Sequence, residues 1–395
     1  MKNLIAVEEA LALVLKNVKT TTETELISLD KAIGHVLAQD LYAPISLPPF
    51  RQSAMDGYAL NYHEGNNFLV IGEVKAGDAS RQILSKGQAV RIFTGAQVPK
   101  SANTVIKQEL ISKHGKSISV AGVIRLGSNI RPEGEQIQKN TLALNKGVTL
   151  NASTIGFIAA LGLVEIPVYK KPSVVIIVTG NELARGGQAL KDGQIYESNA
   201  IMLKNALRSL GILSVDVLEV KDNYQETQLV LNSTLNQYDF TLVSGGISVG
   251  DYDFVGRALD KLGIEQVFYK VKQKPGQPLY FGRRNNHFVF ALPGNPASTL
   301  SCFYIYAARA IEQFMGKSNS MIKKVRLIAK NSYTKTGSRA HFLKAHADAE
   351  YVEILDGQAS SMLRSFAIAN ALVYLPEEVQ AVDEGAHVET LLLPN

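Results

Sequence analysis

Residues 173–183 have the sequence SVVIIVTGNEL, in which five consecutive apolar residues lead into a glycine and a carboxylate. An apolar run of this length is typical of a strand that is buried on both faces of a parallel sheet. Further strands are expected in LSVDVLEV, DFTLVS and HFVFAL, with helices between them in SNAIMLKNALRSLG, NYQETQLVLNSTLNQY and DFVGRALDKLG. This alternation predicts a central three-layer α/β domain with a mostly parallel sheet and helices on both faces.

The sequence on either side of the α/β part has a different pattern. Residues 6–18 have apolar residues at helical spacing, and a short helix is also expected in DKAIGHVLAQDL, residues 30–41. ASTIGFIAALGL is expected to be helical as well. Short β-rich runs separated by Gly, Lys and Asn fill residues 51–140, including AGVIRL at 121–126, and they return after Gly316.

These changes of pattern predict a multidomain chain that combines α/β and all-β parts. The predicted parts are a helical and linker N-terminal domain (1–45 and 141–168), an inserted small β domain (46–140), the α/β domain (169–316) and a C-terminal β-barrel-like domain (317–395).

The composition excludes several classes of protein. Lys and Arg number 41 against 36 for Asp and Glu, and the net charge of +5 is not clustered, so no nucleic-acid partner is expected. The single cysteine, Cys302, rules out an internal disulfide framework and lies in an apolar run, where we expect it to be buried. No stretch is typical of a membrane span or a secretory signal, so we expect a cytoplasmic protein.

Three loops of the α/β part place glycine directly after a strand and before a helix. They are VTGNEL (178–183), VSGGISVGDYD (243–253) and ALPGNPAS (291–298). Glycine lets backbone amides approach an anion, and a helix N-terminus adds partial positive charge. Since ligands bind beyond the carboxyl ends of parallel strands, the three loops together predict a site for a phosphate-bearing ligand.

Acidic residues follow strands of the same sheet. Glu182, Asp222 and Asp253 are all expected near strand ends. Carboxylates beside a phosphate site suggest a bridging Mg²⁺, which prefers oxygen ligands. The alternative is that each carboxylate caps a helix. Lys270 and Lys274 are expected to face the same region, where they either neutralise phosphate or remain solvated.

A second interpretation concerns GISVG, residues 246–250, which matches the G-x-S-x-G pattern of a hydrolase nucleophile. Ser248 would then be the nucleophile of a serine hydrolase. Asp251 and Asp253 argue against this role, because they place negative charge where an oxyanion hole needs positive charge.

Two further strings have no purely structural explanation, RQSAMDGYAL (51–60) and NIRPEGEQ (129–136). With SAMDGYA, IFTGAQVP, NIRPEGE, VTGNEL, SGGISVGDYD, KPGQP and LPGNP in this order, the chain resembles the molybdopterin molybdenumtransferases, the MoeA family that includes the E domain of gephyrin. The resemblance covers residues from about 50 to 300, and the order of the parts is similar throughout the chain.

The resemblance implies an enzyme of molybdenum cofactor biosynthesis. Such enzymes cleave adenylylated molybdopterin in a Mg²⁺-dependent step, insert molybdate and release AMP. It also implies a homodimer, held in part by the N-terminal domain, whose cleft lies between the α/β domain and the partner's β domain. Possible partners are the molybdopterin adenylyltransferase and the enzymes that accept the cofactor. A scaffold role of the gephyrin type is the alternative, and tungstate could replace molybdate.

The resemblance also implies the site residues. The catalytic residues are Asp56, Glu182, Asp222 and Asp253, of which the last three also bind the metal. The substrate-binding residues are Thr94, Gly245, Gly246, Ser248, Lys270, Lys274, Pro293, Gly294, Asn295, Arg339 and Ser360. The chain departs from the family at Gln136, where an acid is usual, at Gln277, where a lysine is usual, and at ASS (359–361), where GSG is usual.

Overall fold

The computed structural model of the chain describes residues 4–79, 81–247 and 254–394. The chain divides into two compact units. The first contains Met1–Glu25, Gly34–Val36 and Tyr169–Asn395, and the second contains Leu26–Ile33 and Leu37–Val168. No helix within the described ranges has the length and apolar character needed to cross a membrane. The limits of the four parts inferred from the sequence stay a prediction.

The first helix, α1 (Val7–Asn17), confirms the helix predicted for residues 6–18. It has acidic residues in its first turn and Lys16 in its last turn, an arrangement that complements the helix dipole. Its buried residues Val7, Ala10 and Val14 lie on one face and join the main hydrophobic core of the first unit.

The second unit consists mainly of short strands. The elements in chain order are β1 (Thr24–Ser28), a 3-10 turn (Leu29–Lys31), β2 (Leu41–Tyr42), β3 (Gln52–Ser53), β4 (Gly57–Leu60), β5 (Asn67–Val74), β6 (Gln88–Ile92), β7 (Thr104–Lys107), a 3-10 turn (Gln108–Leu110), β8 (Ile111–His114), β9 (Ser117–Val120), β10 (Ile130–Arg131), β11 (Leu142–Leu144), α2 (Ala152–Ala160) and β12 (Glu165–Tyr169).

The main sheet of this unit has the strand order β7-β4-β6-β5-β9-β8. Strands β5 and β6 are parallel, and the other neighbours are antiparallel. Both faces of the sheet are covered, because Ala59 of β4 belongs to one core cluster while Tyr58 and Leu60 belong to another. The β-rich character predicted for this region is therefore confirmed.

Two local predictions for this part of the chain were wrong. The helix expected at 30–41 is replaced by the 3-10 turn and extended chain, since Gly34 has a φ of +74° and Leu37 pairs with Val168 as an isolated bridge. AGVIRL is not a strand, because Gly122 bends the chain with a φ of +84°.

The α/β part of the first unit follows the predicted alternation. Its elements are β13 (Val174–Thr179), β14 (Leu183–Ala184), β15 (Ile195–Tyr196), α3 (Asn199–Ser209), β16 (Val215–Val220), α4 (Tyr224–Thr234), β17 (Phe240–Ser244), α5 (Phe254–Lys261), β18 (Glu265–Tyr269), β19 (Gln273–Lys274), β20 (Tyr280–Arg284), β21 (His287–Leu292), α6 (Pro296–Cys302), a π-helical stretch (Phe303–Ala307) and α7 (Ala308–Phe314).

The main sheet has the order β16-β13-β17-β21-β20-β18, and its first four strands are parallel. All six residues of β13 are buried, which explains its continuous apolar run. Residues of α3, α6 and α7 pack in one core cluster and residues of α4 and α5 in another. Ile176 and Ile177 of β13 belong to different clusters, so helices cover both faces and the predicted three-layer α/β arrangement is confirmed.

The C-terminal segment forms a closed barrel. Its elements are β22 (Lys323–Ala329), β23 (Tyr333–Thr334), β24 (Ala340–Ala347), β25 (Tyr351–Ile354), α8 (Leu363–Ile368), β26 (Ala371–Leu375), β27 (Ala381–Val382) and β28 (His387–Leu392). The order β24-β25-β22-β28-β26 closes because β26 also pairs with β24, and β19 adds to the outside of β24. The barrel-like prediction is confirmed.

Candidate functional site

Three parallel neighbours of the α/β sheet end at one cavity of about 670 Å³. Strand β13 ends at Thr179, β17 at Ser244 and β21 at Leu292, and the loops that follow them border the cavity. This is where open α/β sheets bind ligands. The described site residues from the sequence analysis that line it are Glu182, Asp222, Gly245, Gly246, Pro293, Gly294 and Asn295.

Two glycines in the loop after β17 pack too closely to carry a side chain. A Cβ on Gly245 would lie 2.7 Å from the carbonyl oxygen of Thr179, and Gly245 has a φ of +91°. A Cβ on Gly246 would lie 2.7 Å from Cγ2 of Val255. A Cβ on Gly294 would make an ordinary contact with Cα of Gly245 at 3.7 Å, so the loop after β21 lies next to the loop after β17. Exposed amides in such turns favour an anionic ligand.

Asn199, the first residue of α3, joins these two loops from the side of the cavity. Its Nδ2 donates to Oγ of Ser244 and to the carbonyl oxygen of Gly294, both at 2.8 Å. Its Oδ1 is buried and has no hydrogen-bond partner among the described residues, so an acceptor lies in the cavity wall. The sequence analysis missed Asn199, since an Asn at the start of a predicted helix is ordinary.

Glu182 extends back over the loop that carries it. A Cβ on Gly180 would lie 2.8 Å from both carboxylate oxygens of Glu182, and Gly180 has a φ of +150°. Within the described ranges, no hydrogen bond engages this carboxylate, and it lines the cavity. The glycine before it therefore gives the carboxylate room to lie beside the strand end.

Asp222 has a structural contact as well as a place in the cavity. Its Oδ2 accepts from the backbone N–H of Asn181 at 3.2 Å, and its own N–H donates to Oδ1 of Asn181 at 3.2 Å. The pair ties the loop after β13 to the loop after β16, which is the neighbouring strand. One carboxylate oxygen of Asp222 is engaged in this way.

The chemistry of Glu182 and Asp222 fits a hard dication. Mg²⁺ in enzymes is held by one or two carboxylates together with substrate phosphates and water. No group of three His, Cys, Asp or Glu side chains suited to a metal occurs among the described residues. The third predicted ligand, Asp253, and the predicted phosphate contact Ser248 lie outside those residues.

The remaining predicted contacts of the first unit are not part of the cavity lining. Lys270, Lys274, Arg339 and Ser360 are described, but they are not among the residues that line the cavity. Arg339 donates through Nη1 to Oε1 of Gln277 at 2.7 Å. Ser360 is joined to the cavity lining, since Nδ2 of Asn295 donates to Oγ of Ser360 at 2.9 Å.

A buried amide holds the loop that carries Gln277. Oε1 of Gln273 accepts from the hydroxyl of Tyr306 at 2.5 Å, and Nε2 donates to the carbonyl oxygens of Pro275 and Gly276 at 3.1 and 3.2 Å. A Cβ on Gly276 would lie 2.4 Å from Sγ of Cys302. Burial raises the pKa of Cys302 to about 12, so this cysteine is a packing residue, as expected.

Asp56 and Thr94 form a compact pair in the second unit. Oδ1 of Asp56 accepts from both the backbone N–H and the hydroxyl of Thr94 at 2.8 Å, and these bonds lower the pKa of the Asp56 carboxyl. The next residue, Gly57, has no room for a side chain, because a Cβ there would lie 1.8 Å from the carbonyl oxygen of Ile106. Asp56 directly precedes β4, which begins at Gly57.

The sequence matches family models along most of its length. They are the MoeA N-terminal region (domain I and II) at residues 5–162, a probable molybdopterin binding domain at 175–313 and the MoeA C-terminal region (domain IV) at 326–393. The chain is 30% identical to the molybdopterin molybdenumtransferase of Haemophilus influenzae over 98% of each protein. It is 33% identical to molybdopterin molybdenumtransferase 2 of Mycobacterium tuberculosis over 92% of this chain and 93% of that protein.

A solved structure has a similar fold over the whole chain. The MoeA protein of Pyrococcus horikoshii, described as a molybdopterin biosynthesis protein, superposes with a TM-score of 0.85 at 28% identity, over 99% of this chain and 100% of that one. The chain belongs to the MoeA family. It is an enzyme of that family, and the resemblance inferred from the short strings is confirmed.

Three residues that line the cavity were not predicted from the sequence. Asn199, Tyr196 and Glu197 all line the cavity, although none of them follows a strand end of the main sheet. Glu197 accepts from the N–H of Ala200 at 2.8 Å and so caps α3. The segment YESN (196–199) could have been predicted only from knowing which helix begins beside the loops after β13 and β21.

Proposed function

We propose that this enzyme inserts molybdate into adenylylated molybdopterin and releases AMP. The observation that carries the proposal is the cavity beyond β13, β17 and β21, because it combines closely packed glycine turns with the carboxylates of Glu182 and Asp222. A diphosphate ester needs amide donors for its oxygens and a group that activates water. The relatives named as molybdopterin molybdenumtransferases support molybdopterin as the acceptor of molybdenum.

The glycine turns bind the phosphate groups in this proposal. Gly246 and Gly294 present backbone amides without side chains in the way, whereas the N–H of Gly245 donates to the carbonyl oxygen of Leu292 at 3.3 Å and holds the loop in place. Pro293 and Asn295 shape the edge of the loop that carries Gly294. Ser248 extends this contact in the sequence-based proposal. Asn199 keeps the two loops in register through its two hydrogen bonds.

Glu182 is the proposed base for the cleavage. It takes a proton from water as the water oxygen bonds to the phosphorus on the molybdopterin side of the diphosphate. The bond between that phosphorus and the bridging oxygen breaks, so molybdopterin keeps one phosphate and AMP leaves with the bridging oxygen, which takes a proton from solvent. Asp222 orients the loop of Glu182 through Asn181. Mg²⁺ held by Glu182 and Asp222, with Asp253 as the proposed third ligand, would neutralise charge on the diphosphate.

The group around Arg339 is the proposed place for molybdate. Arg339 is held by Gln277, Ser360 is held by Asn295, and Lys270 and Lys274 belong to the segment that precedes Gln277. Guanidinium and ammonium groups bind a tetrahedral dianion through charge-assisted hydrogen bonds. Because Gln277 stands where a lysine is usual in the family, this group carries one positive charge less than is usual there.

The remaining elements of the proposal concern assembly. We infer that the enzyme is a homodimer in which Asp56 and Thr94 serve the partner's cleft. The substrate would come from a molybdopterin adenylyltransferase, and the product would pass to enzymes that use the cofactor.

The direct test replaces Glu182. Glu182→Ala should lower the rate of AMP release and of molybdenum incorporation by about 100-fold or more, because general base catalysis is lost. AMP is measured by chromatography and molybdenum in the isolated cofactor by mass spectrometry. Glu265→Ala is the matched control, since Glu265 is an exposed carboxylate of β18 paired with Arg283. Wild-type product from Glu182→Ala would contradict the proposal.

A further inference from the structure

One wall of the cavity is apolar, although the rest of its lining is rich in glycine and polar groups. This wall consists of Leu183, Ile195 and Tyr196. Ile195 is 56% exposed and Tyr196 is 47% exposed. Exposed apolar side chains are ordinary on a convex surface, but inside a concave polar site they mark where an apolar part of a ligand lies.

The apolar wall is hydrogen-bonded to the loop that carries Glu182. Strands β14 and β15 pair in parallel, so Leu183 lies beside Ile195. The N–H of Ile195 donates to the carbonyl oxygen of Glu182 at 2.9 Å, and the N–H of Glu197 donates to that of Ala184 at 2.9 Å. The wall therefore has a set position relative to the carboxylate that borders the phosphate site.

The ring of Tyr196 is fixed as well. Its hydroxyl donates to the carbonyl oxygen of Gln188 at 2.7 Å. A tethered aromatic ring loses little conformational freedom when a ligand stacks on it, so it binds a flat ring at low entropic cost.

We propose that Leu183, Ile195 and Tyr196 form the surface that receives a planar heteroaromatic ring of the substrate, with Tyr196 stacking on that ring. The assignment rests on the proposed function, because adenylylated molybdopterin carries such rings at both ends of its diphosphate. The ring is either the purine of the nucleotide or the pterin, and the two share the same flat, π-rich chemistry.

The absence of tryptophan from the chain provides a sharp experiment. Tyr196→Trp introduces a sole tryptophan, and stacking on a heteroaromatic ring quenches its fluorescence. The variant is titrated with AMP, with molybdopterin and with inorganic pyrophosphate. Quenching by AMP alone assigns the purine, quenching by molybdopterin alone assigns the pterin, and either result supports the proposal. Leu229→Trp is the control for absorption by the ligands, because Leu229 is an exposed residue of α4 away from the cavity lining.

Binding affinity gives a second measurement. Tyr196→Ala should weaken binding of the ring-bearing ligand by about tenfold and leave pyrophosphate binding unchanged, since one stacking contact is lost. Tyr196→Phe keeps the ring and should retain most of the affinity. Circular dichroism checks that each variant is folded.

Two outcomes separate this proposal from the proposed function. If Tyr196→Trp fluorescence responds to neither AMP nor molybdopterin beyond the Leu229→Trp control while the wild type inserts molybdenum, the wall is not the ring site and the function stands. If the wild type inserts no molybdenum but the fluorescence is quenched, the ring site stands and the proposed reaction is wrong.

Discussion

Gly245, at the candidate site, and Gly77, in the second unit, have nearly the same φ, +91° and +92°. A Cβ on Gly245 meets the carbonyl oxygen of Thr179 at 2.7 Å, whereas one on Gly77 meets nothing within 4 Å. The two glycines therefore separate the cost of a positive φ from the cost of crowding.

Gly245→Ala should destabilise the protein by about 1–3 kcal/mol more than Gly77→Ala, because the loop must shift away from β13. Urea unfolding measures the free energy of unfolding of both variants. AMP release should fall in Gly245→Ala and stay at the wild-type rate in Gly77→Ala. Equal stability of the two variants would show that the close approach at Gly245 is not needed.

A buried histidine makes stability depend on pH. Burial, followed by the nearby charges of Lys171 and Lys317, lowers the pKa of His35 to about 4. Between this value and the unfolded value of 6.5, the unfolded chain binds a proton that the folded protein does not. Stability from this group is therefore present above pH 6.5 and is lost as the pH falls toward 4.

His35→Gln should flatten this dependence. Between pH 7 and pH 5, the wild type should lose about 1–2 kcal/mol more of its free energy of unfolding than the variant does. Urea unfolding at each pH gives the comparison. Parallel curves for the two proteins would mean that His35 is not the group that titrates.

At the level of secondary-structure elements, the local pattern predicted most strands and helices of the α/β part. The apolar run predicted the strand β13, and apolar residues at helical spacing predicted the helix α3. The strand β24 has a less obvious pattern, because AHFLKAHA includes Lys344, which is buried and donates to the carbonyl oxygens of Gly357, Ala359 and Met362. Those acceptors lie 13 to 18 residues further along the chain, so the sequence of the strand itself does not show that this lysine is buried.

The π-helical stretch after α6 supports the loop of Gln277 through Tyr306. Tyr306→Phe leaves Oε1 of Gln273 buried without its donor, and we expect a loss of about 1–3 kcal/mol in the free energy of unfolding. Tyr304→Phe, in the same stretch, is the control, since its hydroxyl has no hydrogen bond among the described residues. If Tyr306→Phe leaves the free energy of unfolding unchanged, Tyr306 does not support the loop of Gln277.

At the scale of the whole molecule, the proposed site divides between subunits. A protein with Asp56→Ala in one chain and Glu182→Ala in the other has one intact site per heterodimer if Asp56 serves the partner. Random assembly should then restore about a quarter of the wild-type AMP release, as expected for a two-fold dimer.

The variants purified alone provide the baseline for this mixture. Their masses in solution should be twice the 42.9 kDa of one chain, as measured by light scattering. A mixture no more active than the single variants would place Asp56 and Glu182 in the same subunit's site or outside a shared site.

The strands of the α/β sheet, the glycine turns after them and the family are predictable from the amino-acid sequence, because apolar runs and short loop strings are local properties of the chain. Tertiary structure alone decided that Glu182 and Asp222 share one cavity, that Asn199 joins two of its loops and that Tyr196 lies in an apolar wall. These are contacts between residues far apart in the chain. They exist only after the parallel strands bring their carboxyl ends to one edge of the sheet.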